Sequence, residues 1–310
     1  MLCSCRLIPR EQVFEDFILV RTENGDTFSS LAEKYLNDPD KGQVIAEFNG
    51  IEKIVPDQDL IIPLKPFSKG GLKVRGYQTV PILSYHRLST TGKADNMIMP
   101  VERFESQMMY LQKNGYTVIT IEQFMDYINF RNQIPRKSVV ITFDDGWKSI
   151  YEVAYPILKK FQYPATLFIY TNFIGARKAM SWDQIKELSE NGFSIHCHSK
   201  SHRYLNRMKK GESFRRYYQA LKEELFDAKM MIQEKVGKEC KYLAYPYGAY
   251  NNLVIAMAEK YGYYGGFTAR RGVNPFYRNR YKINRSMIYG EYDLKKFSRR
   301  LVVFRERDLR

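Results

Sequence analysis

Apolar residues follow two different rhythms along this chain, and the rhythm changes near residue 77. Before that point, Phe17-Ile18-Leu19-Val20 and Leu60-Ile61-Ile62-Pro63 are short apolar runs of strand length. Between them, Phe28, Leu31, Ala32 and Tyr35 recur at helical spacing, and a second helical stretch surrounds Val44 to Phe48. Asn24-Gly25-Asp26 supplies a turn, and Asp26 or Thr27 can cap the first helix. A tail at 1–15 is thus followed by strand, helix, helix, strand over 16–64. Residues 65–76 place Pro66, Gly70, Gly71 and Gly76 among lysines and serine, the composition of a linker.

From 77 to 310 short apolar runs alternate with helical segments. Strands are expected at 80–85, 138–143, 165–169, 193–197 and 242–245. Helices are expected at 101–114, 121–129, 148–161, 182–191, 215–235 and 251–261. Strands that are apolar throughout are buried on both faces, so the α/β alternation predicts a parallel sheet closed, or nearly closed, into a barrel. In such barrels the chemistry sits where strands end.

At one such end stand Asp144-Asp145-Gly146-Trp147, and two adjacent carboxylates need a proton or a cation to offset their repulsion. After the run at 193–197 comes His198-Ser199-Lys200-Ser201-His202, whose imidazoles would share one face if the segment were a helical turn. Asp145, His198 and His202 then make a three-ligand site with open positions, which is catalytic rather than structural coordination. Singly, Asp-Asp-Gly is also a turn sequence and a histidine pair also a surface feature; together they weigh more, since the chain has only 4 histidines. Strand alternation turns Cys197 away from its neighbours into the core and leaves His196 undecided.

A formal net charge of +15 favours acidic partners such as anionic membrane or cell-wall surfaces. The basic clusters at 203–216, 270–285 and 295–310 lack the spacing of a nucleic-acid module, which reads against nucleic acid. Four dispersed cysteines give no disulfide framework, and no run of eighteen apolar residues occurs. Met1-Leu2-Cys3-Ser4-Cys5 is similar to the end of a bacterial lipoprotein signal with Cys5 as the lipidated residue, so a cell-envelope or extracellular location is expected although a complete export signal is not visible.

Residues 16–64 resemble a LysM domain through Gly25-Asp26-Thr27, Leu31-Ala32, Asn49 and Ile62-Pro63. The resemblance implies binding of N-acetylglucosamine-containing glycans near Gly25 to Phe28 and Gly50 to Val55. Thr142-Phe143-Asp144-Asp145-Gly146, His198-Ser199-Lys200-Ser201-His202 and Tyr245-Pro246-Tyr247-Gly248 resemble, in order and spacing, the three motifs of the NodB-type polysaccharide deacetylases, carbohydrate esterase family 4. That family implies a distorted (β/α)7 barrel, here behind a small βααβ domain, and hydrolysis of an N-acetyl group from an amino sugar. It also implies a divalent ion, usually zinc with cobalt or nickel as alternatives, on Asp145, His198 and His202. Asp144 takes the role of general base, and the backbone N–H of Tyr247 that of oxyanion donor.

Two departures qualify the match. No histidine follows His202 to act as acid, but Pro81-Ile82-Leu83-Ser84-Tyr85-His86-Arg87 and Ser181-Trp182-Asp183 resemble the poly-N-acetylglucosamine deacetylase branch, whose permuted motifs put the acid histidine first. That makes His86 the expected acid and poly-β-1,6-N-acetylglucosamine the favoured substrate. The usual third-motif arginine is replaced by Ala244, and Arg285, after a late expected strand, is a candidate to tune Asp144 or to reach substrate. Trp147, Trp182, Tyr245 and Tyr247 are candidates to stack on sugar rings. Peptidoglycan or chitin oligomers are alternative substrates, and a non-catalytic glycan-binding protein is the alternative outside enzymes.

Overall fold

The computed structural model describes residues 9–64, 71–73, 76–129 and 131–306. They form two compact units, one of residues up to Gln78 with 131–133 and 304–306, the other of Thr79–Asn129 and Ile134–Val303. The expected linker falls mostly outside the described residues, as does Cys5.

In the first unit β1 (Glu11–Val13), β2 (Phe17–Arg21) and β3 (Asp59–Pro63) form an antiparallel sheet in that order, with α1 (Phe28–Leu36) and α2 (Gly42–Asn49) between the last two strands. The tail therefore contributes a strand, with Glu11 opposite Val20. Thr27 is the cap of α1, its Oγ accepting from Ser30 N at 3.0 Å, while Asp26 accepts from Arg10 at 3.1 Å and Glu23 N at 2.7 Å. Leu31, Ala32 and Ile45 bury their side chains against Ile18, Val20, Leu60 and Ile62. Asn49 pins α2 to β3: its Nδ2 donates to Ile45 O (2.8 Å) and Ile61 O (2.7 Å), and its Oδ1 accepts from Ile61 N (2.9 Å). Truncation leaves the Ile61 N–H without that acceptor, so Asn49→Ala is expected to destabilise this unit by about 1–3 kcal/mol, read by urea unfolding. An unchanged midpoint would mean that water replaces the amide at no cost.

The second unit contains β4 (Ile82–Tyr85), α3 (Val101–Lys113), α4 (Ile121–Ile128), β5 (Ser138–Asp145), α5 (Tyr155–Phe161), β6 (Ala165–Ile169), α6 (Trp182–Glu190) and β7 (Phe193–Cys197). There follow α7 (Phe214–Lys222), α8 (Ala228–Val236), β8 (Tyr242–Ala244), α9 (Asn252–Lys260), β9 (Gly265–Phe267) and β10 (Ser286–Met287). Seven strands run parallel in the order β9-β8-β7-β6-β5-β4-β10, a curled sheet with Thr117–Val118 paired beside β5. The segment 280–287 joins its two ends. Gly266 N donates to Arg280 O (2.8 Å), Ile283 N to Gly266 O (3.0 Å) and Thr268 N to Ile283 O (2.8 Å), while Ser286 pairs with Leu83 on the other side.

Pro81 has no N–H and splits the expected 80–85 strand into Gly76–Val80 and β4. The expected 215–235 helix is continuous but widens into a π-helical turn at Glu223–Asp227. Alternate strand positions face opposite ways: Leu83, Ile141, Phe143, Leu167, Ile195 and Leu243 join the helix layer, and Ile82, Val140, Phe168 and Ala244 pack inside with Phe124 and Met125 of α4. The inner face becomes polar at Ser84, Asp144 and His198, at the strand ends.

Candidate active site

Asp144 and Asp145 end β5, both buried, and Asp145 turns the chain with φ 76°. The Arg285 guanidinium grips Asp144 with two hydrogen bonds, Nη1 to Oδ1 at 2.6 Å and Nη2 to Oδ2 at 2.8 Å. Its Nε donates to Thr268 O at 3.1 Å, so the fork is fixed from both sides. Arg285 lies between the Phe267–Ile283 bridge and β10, ahead of a strand rather than after one, and only 1% of it is exposed. It is therefore the partner of Asp144, and the expectation that it contacts substrate is corrected. Burial works to raise the Asp144 pKa, but Arg285, His198 and His86 outweigh it and hold the carboxyl well below the usual range.

His86 leaves β4 with Nε2 4.0 Å from Asp144 Oδ2. Burial lowers its pKa, against the pull of Asp144 and Asp145. On the other side, His198 Nε2 lies 3.9 Å from Asp144 Oδ2 and 3.8 Å from Asp145 Oδ1, and His202 Nε2 lies 3.5 Å from Asp145 Oδ1. His198 Nδ1 is 2.8 Å from Ala244 O, which as an acceptor requires the proton on Nδ1 and leaves the Nε2 lone pair facing Asp145.

The histidine spacing does not arise from a helical turn, as expected from sequence. The segment is an irregular loop with Ser199 at φ 73° and His202 at φ 60°, and the rings meet at 4.8 Å. The loop is clamped from α7–α8: buried Glu224, in the π-helical turn, accepts from Lys200 N (2.9 Å), Ser201 N (2.8 Å) and the Ser201 hydroxyl. Ser199 Oγ accepts from His202 N at 3.0 Å. Sequence reading missed Glu224, although a charge among Leu221, Leu225 and Ala228 at helical spacing marked it.

The ligand atoms of Asp145, His198 and His202 lie within 4.8 Å of one another. Asp145 Oδ1 is buried without a hydrogen-bond partner, while Oδ2 accepts from Trp147 Nε1 at 2.8 Å. An orphaned anionic oxygen facing two imidazole Nε2 atoms fits a divalent cation.

The stacking candidates divide. Trp147 orients Asp145. Tyr245 is fully buried, stacks on Tyr250 and donates to Tyr281 O at 3.1 Å, so it is core and not a substrate contact. Trp182 packs half-buried on the core at the start of α6, and among the described residues no hydrogen bond or ring contact joins it to the centre. Tyr247 stands at φ 60°, its ring 4.6 Å from His202 and stacked on Tyr204 at 4.1 Å. Cys197 is core, where burial pushes its thiol up to about 11. His196 is buried away from the centre against Tyr242, with Nε2 3.5 Å from Glu122.

Residues 131–266 match the family described as polysaccharide deacetylase. YxkH of Bacillus subtilis strain 168, which is named as a polysaccharide deacetylase, is 31% identical over 206 residues, 66% of this chain and 70% of that one. The poly-β-1,6-N-acetyl-D-glucosamine N-deacetylase of Staphylococcus aureus strain MRSA252 is 29% identical over 227 residues, 66% of this chain and 77% of its own. The structure of Streptococcus pyogenes deacetylase PplD in complex with acetate superposes with a TM-score of 0.65 at 25% identity, over 72% of this chain and 98% of that one. IcaB from Ammonifex degensii shares the fold, with a TM-score of 0.64 at 23% identity over 73% and 98%.

Proposed function

Because the chain belongs to the polysaccharide deacetylase family, we propose that it hydrolyses N-acetyl groups of an N-acetylglucosamine-containing polysaccharide, with poly-β-1,6-N-acetylglucosamine as the favoured backbone. The observation that carries this reading is the single cluster of Asp144, held by Arg285, with His86 on one side and the orphaned Asp145 Oδ1, His198 and His202 on the other. Asp145, His198 and His202 would hold a divalent ion, and two imidazoles with one carboxylate are a donor set that zinc accepts. When bound, such an ion supplies Lewis acidity, lowering the pKa of a water and polarising the acetamide carbonyl.

Arg285 keeps Asp144 ionised and aimed, so it is ready to accept a proton from the attacking water as the new C–O bond forms. The backbone N–H of Tyr247 meets the developing oxyanion. His86, 4.0 Å from Asp144, protonates the leaving nitrogen as the C–N bond breaks, releasing acetate and a free amine. Proton acceptor and donor thus share one pocket. His86→Ala is expected to lower kcat by about 10²–10⁴ while zinc binding persists. Retention of full kcat would remove His86 from the mechanism.

The LysM-like unit retains the glycan by its loops near 25–28 and 50–55, and the protein works in the cell envelope, where such polymers lie. Acetate release from poly-β-1,6-N-acetylglucosamine and chitin oligomers, with zinc-loaded wild type and Asp144→Asn, tests the activity. Activity on the first polymer, lost in the variant, supports the reading; inactivity on both moves the substrate to peptidoglycan.

A further inference from the structure

Beside the centre, His202 and Tyr247 form one wall of an open cavity of about 390 Å³ whose other lining includes Tyr204, Arg207, Lys209 and Lys210. Four planar groups run outward from it, the first pair edge to face and the others face to face. The His202 ring meets Tyr247 at 4.6 Å, Tyr247 lies on Tyr204 at 4.1 Å and 15°, and the Arg207 guanidinium carbon is 3.8 Å from the Tyr204 centroid. Two groups this close cannot share one ring face, so Tyr204 is sandwiched and its faces are closed to a sugar. Tyr204 and Tyr247 nonetheless remain 39% and 55% exposed. Their evident service is to hold Arg207 in a fixed pose at the rim.

Arg207 has no carboxylate within salt-bridge distance among the described residues, and neither do Lys209 and Lys210. Glu212, the acid next to this segment in sequence, is already engaged: it accepts from Arg203 Nη1 (3.0 Å) and Nη2 (2.7 Å) and from Lys209 N (2.7 Å). Across the centre the pattern repeats. Arg87 lies over the Trp147 ring at 5.0 Å, Trp147 holds Asp145, and Arg87 also lacks a carboxylate partner among the described residues. A guanidinium that is pre-ordered by an aromatic face yet left with free donors is suited to bind an anion bidentately.

We propose that this rim is a specificity subsite for an anionic substituent, a carboxylate or phosphate carried by the glycan next to the N-acetylated sugar, with Arg207 as the principal contact and Lys209 and Lys210 supporting it. The proposal rests on the deacetylase reading and narrows it. Within that reading, an N-acetylglucosamine backbone that carries acidic substituents is a better substrate than the unsubstituted polymer.

The test compares three series of N-acetylglucosamine oligomers of equal length, neutral, carboxylate-bearing and phosphate-bearing, with zinc-loaded full-length wild type, Arg207→Gln and Lys209→Gln/Lys210→Gln. The kcat/KM ratio of acidic to neutral oligomers is expected to be about tenfold or more at low salt, to reside in KM, and to collapse toward one in Arg207→Gln and in 0.5 M salt. The better of the two acidic series identifies the anion. Equal handling of acidic and neutral oligomers by wild type, or an advantage untouched by both variants, overturns the subsite. Equilibrium binding of the three series by the same proteins decides the matter separately from catalysis. Preferential binding of acidic oligomers lost in Arg207→Gln supports the subsite even if no oligomer releases acetate, whereas absent acetate release from every series overturns only the deacetylase reading.

Discussion

Arg285→Ala is expected to destabilise the protein by about 3–5 kcal/mol and to abolish measurable acetate release, although Arg285 touches no substrate. The side chain is 1% exposed and doubly bonded to Asp144, itself buried, so alanine strands a buried carboxylate without the guanidinium that neutralises it. Because Asp144 has a folded pKa depressed below its unfolded value of about 3.9, the pair stabilises the protein fully above that pH. The contribution is lost as pH falls from there through the depressed folded value. The difference in unfolding free energy between wild type and variant is therefore largest near neutrality and shrinks in acid. The double variant Arg285→Met/Asp144→Asn removes both charges and is expected to recover most of the stability and none of the activity. Urea unfolding at pH 7 and pH 3 checks the stability of both variants and acetate release their activity; a single variant as stable as wild type at pH 7 would show the ion pair to be immaterial to the fold. Lysine at 285 keeps the charge but loses the fork, so its activity separates positioning from mere neutralisation.

The barrel was legible because β5, β6 and β7 are short, predominantly apolar segments of strand length, and each begins where the sequence pattern places it. Strands made by pairing rather than by pattern were not. β9 is Gly265-Gly266-Phe267, where the ring of Tyr245 lies against Gly266 and leaves no room for a side chain. β10 has two residues and owes its place to Leu83 and Ser84. Arg285 sits between these weak strands, so it was named as a candidate to tune Asp144 only because the third motif lacks its arginine, and not from any local pattern that pairs it with a residue 141 positions away. Asp145, His198 and His202 were found from residue type and order alone. Their geometry was not, because a helical turn and a loop held by Glu224 both bring residues four apart together, and only tertiary contacts distinguish them. Among the aromatic candidates sequence could not tell Tyr245 from Trp147, since each follows a strand end: the structure buries Tyr245 in the core and bonds Trp147 to Asp145.

Asp145→Asn is expected to change stability in opposite directions with and without metal. In chelated protein, Asp145 Oδ1 is buried with no donor, next to a second carboxylate. Asparagine can keep the Trp147 bond through its oxygen and turn its amide nitrogen toward the Nε2 atoms of His198 and His202, 3.8 and 3.5 Å from Oδ1. It therefore removes a like-charge contact and satisfies an orphan, a gain of about 1 kcal/mol. With zinc the sign reverses. A ligand present at a thousand times its Kd stabilises the native state by about 4 kcal/mol, and most of that is lost when the anionic member of a three-ligand set becomes a neutral amide. Thermal unfolding of both proteins, first in chelator and then with saturating zinc, should show the two melting curves exchange order. If zinc shifts wild type and variant equally, the three side chains do not hold the ion. If the chelated variant is less stable than chelated wild type, the Asp145 carboxylate is satisfied in the metal-free protein and its apparent orphaning is not evidence for a cation.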